Sequence, residues 1–343
     1  MQGNKESLFD IEPLLQYLSS IDNTRNYWMV RTMGGLYYGD FIRNNFIAIG
    51  FDDISLEEIN SLPDNFNTAK EMLKIKLSEK YEDISQHGYY ASQLLHFARE
   101  IKVNDIVIIP SINSAHVAIG IVRSGLYEEP YPILNSDHVC SFKKRRIIEW
   151  KVYCRRQKLP PVLQLIFGSR HAVTNITNHS PYVDSLLNNC YYKEDKLHLV
   201  LNIKTRADVS MNDFFCLEQV RLWAEDFCQE IGYPVDSPIV MKIQMESPGK
   251  MRLESKHILG LLALGFFIIT LTGGGLQFST EDGLNIYTNG LPGAINEYLD
   301  RKADREMQRK IIQGLDSLKI ENPQDIAPFI ELLRVKNEGR RKY

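Results

Sequence analysis

This sequence lacks closely spaced pairs of cysteines and has no strong net charge. Its 343 residues contain five cysteines, and no two of them have the C-x-x-C spacing of a zinc or redox motif. This odd number of cysteines argues against a disulfide framework and suits a reducing cytosol, so we expect a cytoplasmic protein without a bound metal. The formal net charge is −3, which gives no global signal for nucleic acid or membrane.

Targeting and catalytic motifs are missing as well. The stretch MQGNKESLFDIEPLL at the start is charged and has no apolar h-region, so we expect no secretory signal. The chain contains no G-x-S-x-G, no phosphate-binding loop and no H-E-x-x-H motif. The sequence therefore predicts no catalytic residues and no cofactor.

What is present is a succession of short strand and helix patterns that predicts an α+β protein. Apolar runs predict strands at 27–32, 46–51 and 145–154, and a hairpin over 104–122. Helical periodicity predicts helices at 7–21, 68–81 and 90–101. Together they indicate a small β-barrel with inserted helices in a first domain, 1–158, which ends near Pro160-Pro161.

Two further regions are predicted beyond this boundary. Residues 162–250 contain a strand at 196–205, a helix at 211–231 that Ser210 can cap, and a strand at 238–245. This order fits a βαβ crossover in an α/β layer. Residues 251–343 contain an apolar helix, a hairpin with its turn at Asp282-Gly283, and charged C-terminal helices.

The apolar helix has two interpretations. Residues 257–280 contain no Asp, Glu, Lys or Arg, and the core of this stretch, 258–272, is continuously apolar. A membrane span needs about 20 apolar residues, whereas shorter runs are more often buried core helices. We favour burial, with a membrane-attached effector as the alternative. The triple glycine at 273–275 is interpreted as a helix stop.

The motif order of residues 25–155 resembles a known family. YWMVRTMGG is followed by FIAIGF, an amphipathic helix, KVNDIV, and a closing strand with Arg and Trp. This order resembles the PUA-like/EVE-type domain of Mrr-type restriction proteins and related prokaryotic defence proteins. The resemblance implies a small barrel that binds nucleic acid, in some relatives through a flipped, modified base. By position, it implies base-binding roles for Trp28, Arg31, Gly34, Gly35, Tyr37, Tyr38, Phe51, Ser111 and Trp150.

Each of these assignments has a structural alternative. Burial in a barrel core also accounts for the two tryptophans, because every second side chain of a strand faces the core. The two glycines are also typical of a plain turn between strands. If Tyr37 and Tyr38 lie on a strand, at most one of them faces a given pocket.

The basic charge of the chain is local. Residues 1–142 carry 11 Lys and Arg against 19 Asp and Glu, whereas 143–158 carry 8 basic residues against Glu149 alone. We expect a strand in which Ile148, Trp150 and Val152 face one side and the charged residues the other. That charged face is either a phosphate contact or a solvated surface. The predicted phosphate contacts are Lys143, Lys144, Arg145, Arg146, Lys151, Arg155 and Arg156.

A metal-dependent nuclease is a third interpretation. Glu149 and Lys151 form an E-x-K pair on a strand, with Asp137 upstream, which is how one nuclease class binds a divalent metal. Such three-residue patterns are frequent by chance. His171 and His179 lie in a polar loop and give only a weak metal signal.

The sequence as a whole favours a nucleic-acid-binding sensor of a prokaryotic anti-phage defence or restriction system without an evident catalytic site. We expect DNA rather than RNA as its ligand, and a homo-oligomer or a partner defence protein as its assembly.

Overall fold

The chain forms two compact units. The computed structural model describes residues 18–129, 139–206, 208–243, 249–272 and 291–321. Thr24–Leu187 form one unit, called here the inserted unit. The described residues before Thr24 and after Leu187 form the other, called here the discontinuous unit. Sheets and helices occur in both units, which confirms the α+β class.

The secondary structure elements are numbered along the described chain. The strands are β1 Ser19–Ser20, β2 Tyr27–Val30, β3 Phe46–Ile49, β4 Ile106–Pro110, β5 His116–Val122, β6 Tyr127–Glu128, β7 Lys144–Arg155, β8 Val173–Asn175, β9 Cys190–Lys193, β10 Lys196–Ile203, β11 Val240–Ile243, β12 Gly249–Ser255 and β13 Ile320–Glu321. The helices are α1 Tyr38–Arg43, α2 Leu56–Asn60, α3 Phe66–Lys80, α4 His87–Leu95, α5 Pro161–Gln164, α6 Ser180–Leu187, α7 Met211–Glu230, α8 Ile258–Leu271, α9 Leu291–Lys302 and α10 Arg305–Leu318.

A curled, half-barrel sheet organises the inserted unit. Its strand order is β3-β7-β5-β4-β2-β8, and β6 pairs with β7. β2 and β4 run parallel, and the other pairs are antiparallel. The predicted hairpin over 104–122 is confirmed as β4 and β5, and the predicted strand over 145–154 as β7.

Both faces of this sheet are covered, so its central strands are buried on both sides. Trp28 and Val30 of β2 face a core shared with α1 to α4. Tyr27 and Met29, which alternate with them, face a second core that includes residues of α5 and α6. Because this second core needs α5 and α6, the inserted unit continues to Leu187, beyond the predicted boundary at Pro160-Pro161.

The pattern of β7 differs from the prediction in one respect. Lys144 and Arg146 share the buried face with Ile148 and Trp150, whereas Ile147 is 47% exposed. A period of two residues requires this arrangement, since these four positions are all even. The charged side chains therefore do not all share the solvent face.

The discontinuous unit is built on a second sheet with the order β1-β9-β10-β12-β11, and β13 pairs with β10. β10 and β11 each pair antiparallel with β12 and so run parallel to each other, as the predicted βαβ crossover requires. α7 connects them, and Ser210 caps it in a capping box with Asp213, as predicted. The predicted boundary between 250 and 251 falls inside β12.

The apolar helix α8 lies in the core of the discontinuous unit. Twelve of its residues are buried, from Leu259 to Leu271, and they pack with side chains of α7, α9 and α10. A helix that is apolar on all sides is expected in such a position. No helix in the described segments is long and apolar enough to cross a membrane. The predicted helix at 7–21 is described only from residue 18 onward, where Ser19–Ser20 form strand β1 and not a helix. The glycines at 273–275 and the hairpin at Asp282-Gly283 lie outside the described residues.

The start of α2 provides a pH-dependent contribution to stability. Ser55 and Glu58 form a capping box, and Lys76 and Lys80 lie 3.0 and 2.8 Å from the Glu58 carboxylate. The hydrogen bond from Lys80, with those from Ser55 and Lys76, lowers the pKa of Glu58 from 4.5 to about 2. A lowered carboxyl pKa stabilises the fold above the unfolded pKa, and this stabilisation is lost as the pH falls.

We therefore expect the stability difference between wild type and Glu58→Gln to be largest near pH 7. It should shrink as the pH falls from about 4.5 to about 2. Urea unfolding of both proteins across this range measures the difference. A constant difference at all pH values would contradict this assignment of the carboxylate.

Candidate functional site

An aromatic-lined cavity of about 700 Å³ opens in the inserted unit. We call it the aromatic pocket. Aliphatic residues of β2, β3 and β8 contribute Val30, Ala48, Ile49 and Val173 to its lining. Its aromatic residues are Phe51, Tyr81, Tyr89, Tyr90 and Phe142, and its polar side chains are Arg31, Gln93 and Arg170.

Edge contacts between rings fix the aromatic side of the pocket. Phe51 has a left-handed backbone, with φ of 66°, just after β3. Its ring centroid lies 5.3 Å from Tyr81 and 5.1 Å from Tyr90, and Tyr90 lies 5.0 Å from Tyr89. Such tilted and edge-on pairs are a favourable geometry for aromatic side chains. The result is a set of rings that support one another around an open space.

Arg31 follows directly after β2 and is among the lining residues of the pocket. Its Nη2 donates to the carbonyl oxygens of Phe167, at 2.5 Å, and Ser169. Burial, and then the nearby Arg156, lower the pKa of Arg31. Nε and Nη1 have no hydrogen-bond partner among the described residues. The two carbonyl contacts therefore orient the guanidinium and leave donors available.

Gln93 of α4 also presents a donor. Its Oε1 accepts a hydrogen bond of 2.7 Å from the backbone N–H of Val173, which fixes the orientation of the amide. Its Nε2 makes no hydrogen bond within the described part of the chain. With Arg170, this gives three side chains with N–H donors and no carboxylate among the described lining residues. A ligand that presents hydrogen-bond acceptors fits this arrangement.

Three of the predicted base-binding residues line the aromatic pocket, namely Arg31, Gly34 and Phe51. The two tryptophans lie in the core instead. Trp28 donates from Nε1 to Asp105 at 2.9 Å, and Trp150 donates from Nε1 to the carbonyl of Phe41 at 3.1 Å. Both tryptophans are therefore buried and hydrogen-bonded in the core, which is the alternative to a base-binding role.

The remaining predicted base-binding residues lie in or next to tight turns, and one of them, Tyr38, lines a second cavity. Gly35, with φ of 101°, packs against Ile112, and the Ser111 hydroxyl accepts a hydrogen bond from the backbone of His116. Tyr37 packs edge-on against Phe142, with centroids 5.3 Å apart. Tyr38 begins α1, so these tyrosines follow a 3₁₀ turn and are not on the predicted strand.

The second cavity has a volume of about 510 Å³ and also belongs to the inserted unit. We call it the basic pocket. Its lining residues are Tyr38, His116, Tyr153, Cys154, Arg155 and Lys158.

Lys144 and Arg146, predicted to contact phosphate, are buried. Lys144 donates to the carbonyl of Phe51 and lies 3.6 Å from Asp52, and burial lowers its pKa. Arg146 donates to the carbonyls of Phe97 and Ala98 at 3.1 and 2.8 Å, and burial lowers its pKa to about 10. Neither side chain is exposed for a phosphate contact.

The other predicted phosphate contacts differ in how far they are engaged. Arg145 donates to two backbone carbonyls and stacks on Phe46. Arg156 donates to the carbonyl of Gln164, and Lys151 pairs with Glu149. Lys143 and Arg155 are exposed, and their side chains make no ion pair or hydrogen bond to the described residues. Among the predicted phosphate contacts, Lys143 and Arg155 are therefore accessible to a ligand.

Several pocket residues were not predicted from the sequence. They are Tyr81, Tyr89, Tyr90, Gln93, Phe142 and Arg170. One local signal for some of them exists in the helix of 87–95. Tyr89 and Tyr90 lie four and three residues before Gln93, and both spacings make a tyrosine a neighbour of Gln93 on the helix surface.

The residues of the nuclease interpretation form a surface ion-pair cluster. Glu149 pairs with Lys151 and, at 2.5 Å, with Arg123. The hydrogen bonds from Lys151 and Arg123 lower the pKa of Glu149. No group of three or more His, Cys, Asp or Glu side chains suited to a metal ion occurs among the described residues. Asp137 lies outside them.

Comparison with known proteins gives a domain match and a distant structural similarity. Residues 32–172 match the model of a domain of unknown function (DUF8426). No curated protein matches the chain. The chain has 12% identity to the YTH domain of the Zygosaccharomyces rouxii MRB1 protein in complex with N6-methyladenosine RNA, with a TM-score of 0.27. The similarity covers 51% of this chain and 92% of that one. Neither match carries the PUA/EVE or Mrr name, so that resemblance stays a prediction.

Proposed function

We propose that the inserted unit binds nucleic acid and holds one base in the aromatic pocket. The observation that carries this proposal is the combination of five aromatic rings with three side chains that have N–H donors around one open cavity. Aromatic faces stack on bases, and a few polar groups contact the edge of the base. The cavity volume of about 700 Å³ is within the range of small-molecule sites.

A base that enters this pocket must be unpaired or flipped out of a duplex. A base inside a double helix stacks on both sides and exposes only its groove edges. Single-stranded and flipped bases present a free ring face and all of their edges. The ligand is therefore a single-stranded segment, or a duplex with a mismatched or modified base that leaves the stack easily.

The donor groups indicate which edge is recognised. Arg31 and Gln93 offer N–H groups, and carboxylate acceptors are missing from the described lining. A base with carbonyl or ring-nitrogen acceptors satisfies such groups, whereas an exocyclic amino group facing them leaves donors unpaired. We therefore expect preference for an acceptor-rich edge, such as the edge of guanine that carries N7 and O6.

The wider role rests on the motif order of residues 25–155. As a PUA/EVE-like domain, the inserted unit would read nucleic acid, DNA rather than RNA, in a cytoplasmic anti-phage defence or restriction system. The discontinuous unit would then assemble the protein with itself or with a partner defence protein. The resemblance stated from the sequence supports these finer points.

Replacing Phe51 by leucine should weaken binding of single-stranded oligonucleotides. The substitution keeps apolar volume but removes a ring, and base stacking contributes about 1–3 kcal/mol, or roughly 5- to 150-fold in Kd. Fluorescence anisotropy with labelled DNA and RNA at low salt measures the effect. The strands are tested with and without base modification.

Phe66→Leu serves as the matched control. Phe66 stacks on His96, with centroids 5.0 Å apart, and does not line the aromatic pocket. This variant should bind as wild type does. If wild type binds none of the probes at low salt, the proposed function is wrong.

A further inference from the structure

The basic pocket concentrates positive charge without neutralising it. His116, Arg155 and Lys158 line it, and no Asp or Glu is among its described lining residues. All three side chains are exposed, and none of these side chains forms a hydrogen bond or ion pair with a described residue. Most other basic residues of this region are engaged, as Arg145, Arg146 and Lys151 are.

Strand register places two of these side chains directly opposite each other. His116 of β5 pairs with Arg155 of β7, so both project from the same face of the sheet. Basic side chains in such a position repel each other whenever the histidine is protonated. A bound anion between them removes this repulsion. The register is therefore an observation independent of the pocket itself that points to an anionic ligand.

Two tyrosines complete the pocket with neutral donors. Burial, and then the neighbouring Cys154 and Tyr153, raise the pKa of Tyr38 to about 12. Its hydroxyl is therefore protonated at neutral pH and can donate to an anion. Burial also raises the pKa of Cys154, so the thiol adds no negative charge. Tyr153 is 56% exposed and also lines the pocket.

Two packed turns connect the aromatic pocket with the basic pocket. The turn Met33–Gly35 contributes Met33 and Gly34 to the aromatic pocket. It packs through Gly35 on the turn Ile112–Ser114, which leads to His116 of the basic pocket. Met33 and Ile112 are 62% and 61% exposed, so each turn presents an apolar side chain to solvent.

We propose that the basic pocket binds a backbone phosphate of the same nucleic-acid strand whose base occupies the aromatic pocket. This inference rests on the proposed function for the base, and it adds a second site with its own ligand group. The strand passes over Met33 and Ile112, where sugar or base carbons contact these apolar side chains. His116, Arg155 and Lys158 then neutralise the phosphate.

The test is the salt dependence of oligonucleotide binding by the double variant Arg155→Gln/Lys158→Gln. The slope of log K against log salt should become shallower by about 0.7 for each phosphate of a single strand that the variant no longer neutralises. Affinity at low salt should fall by about 10-fold or more. The double variant Lys70→Gln/Lys102→Gln is the control, since it removes the same charge from the inserted unit away from both pockets. An equal slope in both double variants would overturn the proposal.

Two further probes separate this inference from the proposed function. A nucleoside without phosphate should bind wild type and the Arg155→Gln/Lys158→Gln variant equally, whereas Phe51→Leu should weaken it. If Phe51→Leu weakens oligonucleotide binding but Arg155→Gln/Lys158→Gln leaves it unchanged, the proposed phosphate site is wrong and the proposed base site is supported. Inorganic phosphate, followed by the NMR signals of His116, tests for a free anion. If phosphate shifts these signals but Arg155→Gln/Lys158→Gln does not change oligonucleotide binding, the pocket binds a free anion and the proposal of a backbone-phosphate site is wrong.

Discussion

Replacing Arg146 by alanine is expected to lower the free energy of unfolding of the inserted unit by about 3–5 kcal/mol. The guanidinium is buried and donates to the carbonyls of Phe97, Ala98 and Ser124. Phe97 and Ala98 belong to the π-helical turn that follows α4, so their carbonyls lie near a helix end. Alanine leaves these acceptors without a donor and also leaves a cavity.

Urea unfolding of the inserted unit in the full-length chain measures this destabilisation. Lys143→Ala is the matched control, because Lys143 is an exposed cation of the same basic segment and should change stability by less than about 0.5 kcal/mol. Arg146→Lys keeps the charge but not the fork of donors and should fall between the two. An Arg146→Ala protein as stable as wild type, with weakened nucleic-acid binding, would return this residue to the phosphate-contacting role predicted from sequence.

The glycine pair should respond very unequally to alanine. At Gly34 a Cβ would meet nothing within 4 Å, so Gly34→Ala costs only the left-handed backbone, about 1–2 kcal/mol. At Gly35 a Cβ would lie 2.6 Å from Cγ1 of Ile112 and closer still to the backbone of that residue. The two turns must then separate, and we expect a destabilisation of about 3 kcal/mol or more.

Thermal unfolding distinguishes the two variants. A unit of this size shifts its Tm by about 2–4 °C per kcal/mol, so Gly35→Ala should lower Tm by about 6 °C or more and Gly34→Ala by about one third to two thirds of that. Because the turns connect the two pockets, Gly35→Ala should also weaken oligonucleotide binding. Equal behaviour of the two variants would show that the turns do not pack closely in solution.

Local patterns predicted much of the fold. The hairpin of β4 and β5 is apolar along both strands, and the cap at Ser210 is encoded within four residues. The burial of α8 follows from its lack of any polar face. Such features depend on neighbours in sequence, which is why periodicity and capping residues reveal them.

The aromatic pocket depends on contacts between distant segments, and the sequence revealed only part of it. Arg31, Gly34 and Phe51 were predicted through a resemblance in motif order. Tyr90 and Gln93 lay in a helix that was interpreted simply as amphipathic. Nothing local indicates that their face turns toward an opening and not toward the core.

Tyr38 and Arg146 show why the sequence pattern alone does not give the position of a side chain. Tyr38 follows a 3₁₀ turn stabilised by Gly35, so the alternation of a strand does not apply to it. Arg146 has the parity of a buried position, and three backbone carbonyls compensate for its burial. A charged residue can therefore occupy a buried strand position when the surrounding backbone supplies acceptors.

The insertion of one unit into the other couples their folding through chain connectivity. β1 pairs with β9, Ser19 opposite Tyr191, across the whole length of the inserted unit. A flexible segment of that length makes this pairing costly in loop-closure entropy, and long-range pairs form slowly. Once Thr24–Leu187 has folded, the distance between its ends is fixed and that cost falls. We therefore expect that destabilising the inserted unit also weakens the pairing of β1 with β9.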